Sequence, residues 1–106
     1  MDTRMNLPQL TCADFAPHLH EAFRIRLEGR EPIDLELIKA AELPAASRVQ
    51  AAHRAPFSIE FLGPISDQYL QQHIYRLENP ALGTLDIFLV PLGPVDGRMR
   101  YEAIFT

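Results

Sequence analysis

The chain has 106 residues, 47% of them apolar and including six Phe and three Tyr, which suits one domain with one buried core and is too apolar for a disordered segment. Ten Lys and Arg stand against fourteen Asp and Glu, a formal charge of −4 with no basic run, so nucleic-acid binding by phosphate neutralisation is not expected. Cys12 is the single cysteine, which excludes an intrachain disulfide framework; no apolar run reaches the ~20 residues of a membrane helix and no signal-peptide pattern opens the chain, so a cytoplasmic protein without a membrane partner is expected.

The first element is a short helix within Thr11 to His20. Thr11 is placed to cap it, Asp14 lies near its positive end, and Phe15 and Leu19 stand i, i+4. Pro17 limits it to a turn or two, enough to lid one end of a core. From Ala22 the period becomes two. Phe23, Ile25 and Leu27 alternate with Arg24, Arg26 and Glu28, a turn follows through Gly29, and Ile33, Leu35 and Leu37 then alternate with Asp34 and Glu36. The pair reads as a β-hairpin with Arg on one strand facing carboxylates on the next.

Residues 40–55, rich in Ala and without an apolar stripe, read as an irregular crossover. Phe57, Ile59 and Phe61 mark a third strand ended by Gly63-Pro64, and Tyr75 and Leu77 a fourth. Asn79-Pro80-Ala81-Leu82-Gly83 is the most specific turn signal: Asn79 suits side-chain bonding back to the backbone, Pro80 fixes φ, and Gly83 tolerates positive φ. In the fifth strand Leu85, Ile87 and Leu89 take one face, and both faces are apolar from Ile87 to Val90, which predicts a strand that is central or covered on both sides. Asp96-Gly97 makes the last turn before a sixth strand, in which Met99, Tyr101, Ala103 and Phe105 face the core. The expectation is one mainly β domain over 1–106: about six antiparallel strands meandering into a small barrel or sandwich, a short N-terminal helix, residues 1–10 as an extension and 40–55 as the crossover.

Catalytic chemistry finds no constellation in this pattern. His18 and His20 are two apart, which on a helix points them to different faces, and no Cys pair or HExxH spacing supports a metal. Ser58 lacks a nucleophile elbow, and Cys12 lacks the surroundings of a thiol nucleophile. Glu36, Glu60, Asp86 and Glu102 fall on the wet faces of alternating strands. No phosphate-binding glycine loop is present. No enzyme activity, cofactor or metal is therefore expected. One echo stands out: Leu62-Gly63-Pro64-Ile65 and Leu92-Gly93-Pro94-Val95 both end strands on Leu-Gly-Pro-aliphatic. It nominates a loop rim, Gly63, Pro64 and Asp67 with Gly93, Pro94, Asp96 and Arg98, as the candidate interaction site.

The runs Tyr75 to Gly83, Ile87 to Pro94 and Met99 to Phe105, with Phe15 to Leu19 and Pro56 to Phe61, resemble a family of short bacterial proteins that form a domain of unknown function of about this length. The resemblance spans most of the chain and implies no catalytic residue. It implies a structural or assembly role beside phage-tail-like or tail-collar proteins. The leading expectation is a non-enzymatic protein-interaction or assembly module, binding a protein partner or a second copy, with the C-terminal strand open to edge addition. The alternative is a barrel that binds a small apolar ligand, which requires an internal cavity of at least roughly 300 Å³. A third reading is an enzyme with its site scattered over loops.

Overall fold

The computed structural model describes residues 10–43, 56–66 and 68–105. A helix, α1 (Cys12–Phe15), continues as a 3₁₀ turn (Ala16–His18) and is followed by six strands: β1 (Ala22–Ile25), β2 (Ile33–Glu42), β3 (Phe57–Ile65), β4 (His73–Asn79), β5 (Gly83–Val95) and β6 (Arg98–Phe105). All pairings are antiparallel, and the sheet closes in the order β1-β2-β3-β6-β5-β4, with β4 returning to β1. The predicted barrel is present.

Its winding is not one continuous meander. β1-β2-β3 and β4-β5-β6 are two three-stranded meanders, and the β3 to β4 connection crosses the barrel end so that β3 meets β6 and β4 meets β1. The reason is closure: joined edge to edge, the two small sheets cover one another's apolar faces and leave few strand edges unpaired.

Period-two burial follows the sequence closely. Phe23, Ile25, Leu35, Leu37, Ile59, Phe61, Leu77, Leu85, Ile87 and Leu89 are all buried and fill the barrel axis. At one end α1 inserts Phe15, whose ring lies 5.8 Å from both Phe57 and Phe105, themselves stacked at 4.8 Å. The carboxylate of Asp14 accepts from the Thr11 backbone N–H at 2.7 Å, which fixes the start of this one-turn lid. Leu10, assigned from the sequence to the extension, is buried in the same core. At the other end of β3 and β6 lie Gly63 and the turn Asp96-Gly97, with φ of 51° and 79°, the doubly positive geometry that a two-residue hairpin loop demands.

Three strand limits differ from expectation. β2 runs on through Ala40, Ala41 and Glu42, helped past Leu37 by a bulge that absorbs one residue; residues 44–55 of the expected crossover lie outside the described residues. β3 continues through Gly63-Pro64 to Ile65, and β5 through Gly93-Pro94 to Val95, each with a register shift beside the glycine. The Gly-Pro pairs therefore bend strands instead of ending them. β5 is a central strand between β4 and β6, as one reading of its two apolar faces expected, but its outer face is uncovered at Phe88, which is 48% exposed.

Candidate functional site

The two Leu-Gly-Pro segments meet in space because β6 lies between the strands that carry them. Ile65 of β3 and Val95 of β5 both pair with Arg98, and Leu62 and Gly93 both pair with Arg100. Of the expected rim, Gly63, Pro64, Gly93, Pro94 and Arg98 are thus brought together, Asp96 stands exposed at the turn tip beside them, and Asp67 lies outside the described residues.

Ser66 and residues 68–72, the described part of the crossover, complete the rim. Leu70 drops into the core, and its backbone N–H donates to the Tyr101 hydroxyl at 2.8 Å. Burial pushes the Tyr101 phenol pKa up, so this hydroxyl stays neutral. The backbone N–H of Ser66 donates to the Gly97 carbonyl at 3.1 Å, and the Tyr75 hydroxyl donates to the Gln71 carbonyl at 2.7 Å. So fastened, the segment places Tyr69 between two surface clefts. One, of about 480 Å³, lies against Pro91, Leu92, Pro94 and Met99; the other, of about 550 Å³, lies against Pro32, Ile33, Pro64 and Ile65. Around them Ile65 is 81% exposed, Tyr69 58%, Val95 44% and Leu92 41%.

These four apolar residues, and not the glycines or Asp96, give the rim its chemistry. Ile65 and Val95 are the aliphatic members of the repeated motif, so the signal for two of them was present in the sequence. Leu92 also belongs to that motif, but its exposure depends on the β5 bulge, and Tyr69 had no signal because its exposure depends on the crossover path. Arg98 is a brace: its Nε donates to the Gly63 carbonyl at 2.7 Å and its terminal nitrogen meets Glu36 at 3.3 Å. Glu36 also bonds His20 at 3.1 Å, and these donors, His20 first, hold its carboxyl below the usual range.

Several other polar groups are engaged in pairs. His18 bonds Glu21 at 3.0 Å, and His73 lies edge-on to Tyr75. Burial, then Glu42, raises the Cys12 thiol pKa. Glu60 corrects its expected wet placement: it is 8% exposed, flanked by Lys39 at 3.6 Å, its register partner on β2, and by Arg100 of β6 at 3.4 Å. Among the described residues, no three His, Cys, Asp or Glu are placed to hold a metal ion, and no helix is long and apolar enough to cross a membrane.

The edge expected to be open at β6 is largely occupied: β6 pairs with β3 from Arg98 to Phe105 and with β5 from Arg98 to Glu102, so strand addition along those ladders would have to displace one of them. No curated protein and no solved structure matches the chain. Residues 10–105, which span α1 and all six strands, match the family described as Domain of unknown function (DUF6916), and the chain belongs to that family.

Proposed function

We propose that the domain is a non-enzymatic protein-interaction and assembly module that docks a partner protein on the rim between the Leu-Gly-Pro segments. The observation that carries this is the concentration of uncovered apolar surface at one barrel end: Ile65, Tyr69, Leu92 and Val95 surround two clefts on a scaffold that braces them through Tyr101 and Arg98. Apolar side chains exposed together, with a polar margin, are the ordinary mark of a docking surface. An aromatic residue standing between clefts is the kind of anchor that dominates binding energy. The setting that the sequence resemblance implies, assembly of a phage-tail-like structure in a bacterial cell, is part of this proposal. The apolar-ligand reading draws no comparable support, since the barrel axis is occupied by packed side chains.

The test is capture from native lysate by the intact chain, compared with Ile65→Asp and Tyr69→Asp. Both positions are exposed, so both variants are expected to fold with unchanged melting curves and to lose the protein that the unaltered chain retains. Retention of the same partner by both variants would place docking elsewhere.

A further inference from the structure

A second uncovered surface lies on the outward face of β4, β5 and β6. Ile74 and Phe88 are register partners on neighbouring strands, 59% and 48% exposed, and Ile104 on β6 is 57% exposed. The outward face of a one-sided sheet normally carries polar residues, as β1 and β2 do here with Arg24 and Asp34. Large apolar side chains standing open on three adjacent strands form a patch, not a scatter. Neither of the two clefts described above is lined by these three residues, so the patch is a separate, broad apolar face.

Charge selects the partner face. Arg76 follows Ile74 on the same side of β4 and pairs in register with Asp86; Glu102 lies on β6 opposite Val90. Asp86 and Val90 flank Phe88 along β5, so Arg76 and Glu102 occupy diagonal corners of the patch with Phe88 at its centre. The Arg76 side chain is 60% exposed although its Nε meets Asp86 at 3.1 Å, and Glu102 enters no ion pair among the described residues. A twofold axis lying in the face, through Phe88 and along the other diagonal, carries each Arg76 onto the partner's Glu102. Strands of the two copies then cross near a right angle, one of the two common ways that sheets pack.

We propose that this face is a homodimer interface, in which Phe88 meets the partner's Phe88 at the axis and Arg76 pairs twice across it with the partner's Glu102. A self-complementary patch of this kind is what an isologous dimer requires. The surface is separate from the rim, and the two readings stand or fall independently.

Sedimentation equilibrium of the full chain across the micromolar to millimolar range tests it. The expected result is a concentration-dependent doubling of mass. Phe88→Asp and Arg76→Glu should each weaken the association about tenfold or more, and Arg76→Glu combined with Glu102→Arg should restore most of it. Ile65→Asp, on the rim, should leave it intact. Circular dichroism checks that each variant is folded, and the charge-reversal pair decides the matter should Phe88→Asp fail to fold. A chain that stays monomeric at millimolar concentration overturns the proposal, as does a dimer indifferent to Phe88→Asp or a reversed pair that fails to recover.

Discussion

Removing the Asn79 side chain should cost far more than a turn substitution ordinarily does. Asn79 is 3% exposed, and its Oδ1 accepts from the backbone N–H groups of Ala81 at 2.9 Å and Leu82 at 3.0 Å. Its Nδ2 donates to the Ala22 carbonyl at 3.1 Å and to Glu21 at 3.2 Å, tying the β4–β5 turn to the start of β1. In Asn79→Ala the exposed groups recover water, but Leu82 is buried and its N–H is left without a partner. An orphaned buried donor costs about 1–3 kcal/mol and each lost bond about 0.5–1.5 more, so a total of about 3 kcal/mol is expected. With a urea m-value of about 1.5 kcal/mol/M, the unfolding midpoint should fall by about 2 M at unchanged slope. Asn79→Asp separates the two halves of the network. It keeps the acceptor for the turn and loses the donors to β1, while setting a carboxylate against Glu21, so it should cost about 1–2 kcal/mol at neutral pH and less in acid. The reasoning is refuted if Asn79→Ala costs under about 0.5 kcal/mol, or if the two substitutions cost the same.

Three further outcomes are expected. Tyr101→Phe strands the buried N–H of Leu70, so hydrogen exchange at that amide should accelerate by about tenfold while the barrel strands stay protected. Gly63→Ala puts a methyl group 3.3 Å from Cε2 of Tyr101, a ring that its bond to Leu70 prevents from yielding; the overpacking outweighs the ~0.4–1 kcal/mol gained from a stiffer unfolded chain, and thermal denaturation should show a net loss of about 1 kcal/mol. The hydrogen bond from Arg24, at 2.8 Å, holds the Asp34 carboxyl below its usual range. A depressed carboxylate stabilises the fold above its unfolded pKa, near pH 4, and the contribution disappears as pH falls through the lower folded value. Both side chains are 48% exposed, so the effect is at most about 1 kcal/mol after solvent screening, and Asp34→Asn should flatten the acid limb of a melting-temperature profile by that much and no more.

The sequence made local pairing legible and tertiary placement illegible. Phe23 and Ile25 point inward because their alternation leaves them no other stable choice, and Arg24 faces Asp34 because the turn through Gly29 sets that register. Asn79 and Gly83 perform the turn roles that their chemistry implies, with Gly83 at φ 80°. Glu60 could not be read this way. Strand alternation puts it outside, but Lys39 and Arg100 arrive from strands on either side, and only the closed sheet order makes them neighbours. The rim was half legible for the same reason: the repeated motif marked two bent strands, while their meeting across β6 and the docking of Leu70 beneath Tyr69 depend on the β3 to β4 crossover, which no local pattern encodes.

The outer surface divides into two regimes, and the division argues where partners can bind. Over β1 and its two neighbouring strands it carries ion pairs: Arg24 with Asp34 at 2.8 Å and Arg26 with Glu78 at 3.0 Å. Such pairs add little to stability while hydrated, and covering them costs the solvation of both charges unless the partner supplies matching groups. At the rim and across the outer face from Ile74 through β5 to β6, the exposed large apolar groups are Ile65, Tyr69, Ile74, Phe88, Leu92, Val95 and Ile104, whose removal from water is favourable at about 25 cal/mol per Å². The cleft of about 400 Å³ on the charged side, between Arg24, Arg26 and Thr84, is therefore the poorer docking site although it is open, because its cations already have carboxylate partners. The difference in desolvation cost thus favours the two proposed docking surfaces, the rim and the face around Phe88, over the cleft beside Arg24 and Arg26.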